Sequence, residues 1–265
     1  MIGIFAGSGT LPKEIFSFLN KNKKKYIILN LSNKKIKNSI DVQLGQFGKI
    51  LNILKKNKVR KAIFAGYVER PNLKNLKLDL KAISYIPKLV KVFKKGDGNI
   101  LNFAKQILKK HNIKVINSHI YCKHLLVNKN ITKCKPSSED FKDFSKGKKI
   151  LDTLSKFDIA QGILLDNGYV MAIEAAEGTD EMLKRVAKIK LKTKGRSGIL
   201  IKLPKKKQSL SYDLPTIGYK TVELCIKSKL NGIFLKKNQN IFLDQKKALN
   251  LANKHSFFII MQLIV

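Results

Sequence analysis

The sequence predicts an α/β protein of two domains, an N-terminal Rossmann-like parallel sheet followed by a C-terminal α/β domain, on three observations. Short buried-type strands alternate with helix-length amphipathic segments, and several of those strands run straight into glycine turns. The hydrophobic pattern fades into Asn, Lys, Ser and Asp between Asn128 and Lys149, which divides the chain. Beyond that break, a strand stops abruptly in carboxylates. The expected boundaries are 1–130 for the first domain, 131–149 for a linker and 150–265 for the second.

Ile2 to Phe5 reads as a buried strand, and Ala6-Gly7-Ser8-Gly9-Thr10-Leu11-Pro12 turns from it into a helix carrying Ile15, Phe16 and Leu19. A strand, a glycine turn and a helix N-terminus form an anion site in which Gly7, Ser8 and Gly9 offer N–H donors. The dinucleotide fingerprint is not met: Pro12 stands at the third glycine and no acid ends the next strand, Tyr26 to Leu31. Gln46 to Lys56 is helical, and the strand Lys61 to Gly66 again ends in a glycine turn, Gly66-Tyr67-Val68-Glu69-Arg70-Pro71. Leu76 to Phe93 is amphipathic and interrupted by Pro87; Ile100 to Lys110 is a helix and Asn112 to Ile116 a strand.

In the second half, Ile163 to Leu165 and Tyr169 to Ile173 form a hairpin through Asp166-Asn167-Gly168. Glu174 and Glu177 fall at the carboxyl end of its second strand, where ligands bind in open α/β sheets. Thr179 then serves as an N-cap, with Asp180 and Glu181 in the first helical turn. Four acids thus lie within residues 174–181 of a chain that has 18, and an oxygen-rich cluster suits a hard cation such as Mg²⁺. Ile199 to Leu203 is a strand, followed by the basic loop from Pro204 to Gln208. Asp213-Leu214-Pro215-Thr216-Ile217-Gly218 comes next, with Pro215 and Thr216 at a helix start and Asp213 outside it, free to bind a metal. The remainder reads as strand, strand, helix and strand.

Composition excludes several classes of function. None of the four His residues has the spacing of a zinc site or a recognisable nucleophile partner, and the three cysteines form neither a CxxC nor an even framework. The longest apolar run, Ser256 to Val265, is well under the roughly 18 residues of a spanning helix, and no signal peptide is evident, so a cytoplasmic protein is expected. The net charge of +36 comes from 54 Lys and Arg against 18 acids, of which 13 follow residue 138. Such a field attracts polyanions of any kind: nucleic acid, phosphate ligands or an anionic membrane surface. It equally fits compositional drift toward Lys, Asn and Ile codons.

Four motifs occurring in this order, residues 2–12, 65–71, 174–185 and 213–218, carry a resemblance over nearly the whole chain. Together they resemble the Mg²⁺-dependent UDP-2,3-diacylglucosamine pyrophosphatases of lipid A biosynthesis, the type unrelated to the calcineurin-like phosphoesterases. The resemblance implies hydrolysis of the UDP-lipid pyrophosphate to UMP and 2,3-diacylglucosamine 1-phosphate, on a two-domain protein holding its substrate in the cleft between domains. It assigns Asp213 the catalytic role. On that reading Asp213, Glu174, Glu177 and Asp180 hold Mg²⁺, while Gly7, Ser8, Gly9, Arg70, Thr179, Arg185, Lys202, Lys205 and Thr216 contact substrate. The chain departs from the family pattern at Gly98, Ala160, Ser209 and Ser211. Because the inferred substrate has two acyl chains, a peripheral association with the anionic inner-membrane surface is expected; the oligomeric state, monomer or homodimer, is left open. The competing reading is a basic nucleic-acid-binding protein without catalysis, which lacks a recognisable binding motif and leaves the acids unexplained.

Overall fold

The structure, a computed structural model, describes residues 1–68, 77–85, 87, 97–127, 132–190, 195–205 and 214–262. Two compact units separate at residues 123 and 124. Both are α/β.

The first unit runs β1 (Ile2–Ala6), α1 (Leu11–Lys21), β2 (Tyr26–Asn30), β3 (Ser39–Asp41), α2 (Phe47–Lys56), β4 (Lys61–Ala65), α3 (Leu80–Ile83), α4 (Asp97–Lys110) and β5 (Lys114–Val115). Its five strands are all parallel, in the order β3-β2-β1-β4-β5. Consecutive residues of a strand face opposite sides. Accordingly Phe5, Leu29 and Ala62 join a core with Ile50, Leu51 and Leu54 of α2 and Phe103, Ile107 and Leu108 of α4. Their neighbours Ile4, Ile28 and Ile63, turned to the other face, are buried too, as are Ile15 and Leu19 of α1. Most of the expected helix from Leu76 to Phe93 lies outside the described residues; α3, capped by Asp79, is its described part.

The second unit contains α5 (Ser138–Leu154), β6 (Gly162–Asp166), β7 (Tyr169–Ile173), α6 (Gly178–Lys190), β8 (Ile199–Lys202), β9 (Thr216–Ile217), α7 (Tyr219–Lys227), β10 (Gly232–Lys236), β11 (Ile241–Phe242), α8 (Gln245–Lys254) and β12 (Phe258–Gln262). Its five-stranded sheet, β12-β10-β8-β6-β7, is parallel through β12, β10 and β8 and antiparallel at β6 and β7. The hairpin turn Asn167-Gly168 has positive φ at both residues, 48° and 81°, as a two-residue loop of this twist requires. Ile163, Leu165, Ile199, Ile201 and Phe234 pack on Phe144 and Leu151 of α5. The alternate residues Leu164, Leu200, Ile233 and Leu235 meet Met182, Leu183 and Val186 of α6, Val222 and Cys225 of α7 and Ala248 and Ala252 of α8.

Two expectations from the sequence are corrected here. Residues 138–149, read as linker, belong to the 17-residue helix α5, started by a capping box between Ser137 and Asp140. Its polar composition hid a narrow apolar stripe, and Gly147 lets it approach so closely that an added Cβ would lie 2.4 Å from Cδ1 of Ile201. Pro215 and Thr216 do not start a helix. Thr216 and Ile217 form β9, paired in parallel with β11, and the helix waits until Tyr219, because Ile241 N–H donates to Pro215 O and Leu243 N–H to Ile217 O.

Candidate functional site

In the second unit the ladders bring several chain segments to one sheet edge. Lys202, at the end of β8, is in register with Gly162 at the start of β6 and with Leu235 of β10, and Ile163 is in register with Ile173 at the end of β7. Glu174 is therefore the first residue past β7, and its N–H donates to Gly162 O (2.9 Å). The first turn of α6 supplies Thr179 and Asp180 at the same edge.

The centre of this edge is a buried charge pair. Lys202 is 4% exposed, and its Nζ lies 3.3 Å from both carboxylate oxygens of Glu174. The Thr179 hydroxyl donates to Glu174 Oε1 (2.7 Å) and accepts a short hydrogen bond from Lys202 Nζ. Thr179 is thus a member of the pair's network, where an N-cap was expected; α6 begins one residue earlier, at Gly178. Gly162 leaves room for the carboxylate, since a Cβ there would sit 2.5 Å from Glu174 Oε2. Behind the pair, the fully buried Asn240 donates to Lys202 O (3.1 Å) and accepts from Lys236 N–H (2.8 Å).

The other predicted residues are distributed around this centre. Arg185 pairs with Glu177 (3.1 Å), Lys205 with Asp158 (2.8 Å), and Lys220 with Asp180 (2.7 Å), which raises the Lys220 pKa through that hydrogen bond and charge. Thr216 donates to Leu214 O (3.2 Å). Each acid thus faces its own cation. Among the described residues no three His, Cys, Asp or Glu side chains are grouped to hold a metal ion, and Asp213, the remaining predicted ligand, lies outside them. Carboxylates that repel one another in a lysine-rich chain are more stable paired separately. Asp213 and Arg70 lie outside the described residues; Asp213 directly precedes Leu214, which is buried.

In the first unit, the turns after β1 and β4 pair with each other. Gly7 N–H donates to Ala65 O (2.8 Å), Ser8 N–H to Tyr67 O (2.7 Å), and Tyr67 N–H to Ser8 O (2.9 Å). The N–H groups of Gly7 and Ser8, expected to be phosphate donors, are thereby satisfied within the fold, because the two strand ends lie too close for anything to come between them. A Cβ on Gly7 would lie 2.3 Å from Tyr67 O. Gly9, exposed at φ 102°, is the member of the trio whose N–H has no protein acceptor among the described residues.

Sequence reasoning did not place Asp158, Lys220 or Asn240. The pairing of Asp158 with Lys205 spans 47 positions, and Lys220 carries no signal among so many lysines. Ala160, one of the departures from the family pattern, has a φ of 60°, where a Cβ is strained.

Comparisons with known proteins agree over the full length. Residues 1–125 match the LpxI N-terminal domain and residues 128–260 the LpxI C-terminal domain. The chain is 29% identical over 269 residues to the UDP-2,3-diacylglucosamine pyrophosphatase LpxI of Caulobacter vibrioides, covering 98% of this chain and 96% of that protein. With both domain signatures present, in order and covering all but a few residues, the chain belongs to the LpxI family.

Proposed function

We propose that this protein hydrolyses the pyrophosphate bond of UDP-2,3-diacylglucosamine, giving UMP and 2,3-diacylglucosamine 1-phosphate in lipid A biosynthesis. The observation that carries this reading is the full-length match to LpxI domains and to a pyrophosphatase of that specificity. The buried Lys202–Glu174–Thr179 network at the carboxyl edge of the second sheet adds a chemical rationale. A pre-formed ammonium, held by two neighbours, meets a phosphate oxygen without reorganising, which is how charge developing on a leaving phosphate is stabilised. Binding substrate there requires Lys202 to share its protons between Glu174 and the phosphate, and Thr179 to hold Glu174 in place.

Charge balance favours a cation cofactor. Glu174, Glu177, Asp158, Asp180 and Glu181 are each paired, with Lys202, Arg185, Lys205, Lys220 and Lys184, so these five pairs carry no net charge. A pyrophosphate diester entering the edge adds negative charge. We assign Mg²⁺ to Asp213 with Glu177 and Asp180, whose side chains are 32% and 37% exposed and paired only to half-exposed or exposed cations. Glu174 fits a metal less well because the Lys202 ammonium already lies against both of its oxygens. When bound, the ion neutralises phosphate charge and activates water. Peripheral adsorption to an anionic leaflet is part of the same proposal: among the described residues no helix is long and apolar enough to cross a membrane, and the lysine-rich surface attracts anionic lipid.

The test is turnover of radiolabelled UDP-2,3-diacylglucosamine. Asp213→Ala is expected to stay folded and lose about a hundredfold or more in rate, the scale of one important transition-state group. EDTA is expected to abolish the wild-type rate. Near-normal turnover of the folded variant, or indifference to EDTA, refutes the assignment.

A further inference from the structure

The first unit carries a second concentration of charge at the opposite, amino-terminal edge of its parallel sheet, away from the glycine turns. The cause is the register. Ile2 N–H donates to Lys25 O (3.1 Å) and Arg60 N–H donates to Met1 O (3.2 Å), so the start of β1 is flanked by Lys25 on one side and Arg60 on the other. Lys61 and Tyr26 are both in register with Ile2. A concavity of about 320 Å³ opens there, lined by Lys24, Lys25, Arg60 and Lys61 together with Tyr121 and the first two residues.

Compositional drift does not account for this pocket. Four of its seven lining residues are cationic and none is acidic, against 54 Lys and Arg among 265 residues of the chain. Arg60 is the more telling member, because the chain has only four arginines. Arg185 holds Glu177, and Arg196 donates to Leu230 O and His255 O beside the Phe257 ring. The Arg60 side chain, in contrast, makes no hydrogen bond or ion pair among the described residues, nor do those of Lys24, Lys25 and Lys61. An unpaired guanidinium presents a fork that matches two oxygens of one phosphate. Burial raises the Tyr121 phenol pKa, so its hydroxyl remains a neutral donor at physiological pH.

We infer that this pocket is a phosphate-binding site, made of residues other than those of the proposed hydrolytic site, in which Arg60 grips a phosphate bidentately and Lys24, Lys25 and Lys61 add charge. The ligand is a phosphate-bearing molecule, either a free polyphosphate or the headgroup of an anionic lipid. The presence of only four arginines makes the measurement direct, since the Arg60 Nε–H resonance can be assigned by its loss in Arg60→Lys. Titration of the full-length protein with inorganic pyrophosphate at about 0.15 M salt, where long-range attraction is screened, is expected to shift that resonance saturably. Affinity read from it is expected to fall about tenfold in Lys25→Ala/Lys61→Ala. The control Lys109→Ala/Lys110→Ala removes the same charge from an exposed helix end and is expected to change it less than twofold. All variants are expected to keep their pyrophosphatase rate. A second arm distinguishes the ligand's source: pelleting with phosphatidylglycerol vesicles that weakens severalfold in Arg60→Lys and is displaced by pyrophosphate identifies a lipid headgroup, whereas pelleting that ignores both identifies a free phosphate. The inference is overturned if the Arg60 resonance does not saturate, or if the control pair weakens binding as much as the pocket pair.

Discussion

Removing Lys202 separates a structural brace from a substrate contact. In Lys202→Met the carboxylate of Glu174, whose side chain is 13% exposed, loses the ammonium 3.3 Å from both its oxygens and keeps only the Thr179 hydroxyl. Breaking one side of a buried pair costs about 3–5 kcal/mol, whereas replacing both partners by neutral groups of similar size is often close to neutral. Lys202→Met and Glu174→Gln are each expected to destabilise the protein by about 3 kcal/mol. That corresponds to a fall of roughly 6–12 °C in the melting transition of a domain this size. The double variant is expected to lose only about 1 kcal/mol, which is a coupling energy of about 5 kcal/mol between the sites. Thermal melts followed by circular dichroism supply the stabilities, and hydrolysis of UDP-2,3-diacylglucosamine supplies the activities. If Lys202 meets the phosphate, the double variant regains stability but not turnover. Recovery of both would make the pair a brace and nothing more; single-variant losses under about 1 kcal/mol would show that the two charges are not buried against each other in solution.

Three further outcomes follow from the described geometry. Asp143 is buried, which raises its pKa, and Gly168 N–H (2.7 Å) offsets this only in part. A carboxyl whose folded pKa exceeds its unfolded one costs stability as pH rises from about 3.8 through the folded value. Asp143→Asn, which keeps the Oδ1 acceptor, is therefore expected to be more stable than the parent at pH 7, with the difference vanishing near pH 3 in paired urea titrations. Ala160→Gly is expected to raise stability by about 0.5–1 kcal/mol by relieving a left-handed alanine, again read from urea midpoints. Finally, burial pushes the Cys122 thiol up to about 11 and that of Cys225 higher still, while Cys134 is half-buried. Ellman's reagent at pH 8 is expected to titrate one thiol in the native protein and three after unfolding.

Local pattern settled most of the elements. Short apolar runs placed β6 and β7, the Asn167-Gly168 turn placed their hairpin, and strand–glycine–helix punctuation placed β1, β4 and the parallel sheet that contains them. These are decided within a few residues, by side-chain period and by the φ angles that glycine and asparagine tolerate. The four motifs likewise made the family legible in the sequence, because they report a whole site at once. What neighbours in the chain cannot specify is which partner each charged group takes. Glu174 read as an open metal ligand until the register of β6, β7 and β8 set Lys202 against it from 28 residues away. The amides of Gly7 and Ser8 read as phosphate donors until parallel pairing brought the β4 turn onto them across 59 residues. Helix α5 read as linker because its sequence is mostly polar, and only the sheet it covers gave Phe144 and Leu151 something to bury against. In each case the deciding free energy, from ion pairing, amide satisfaction or apolar burial, comes from groups far apart in sequence, so tertiary structure alone assigned it.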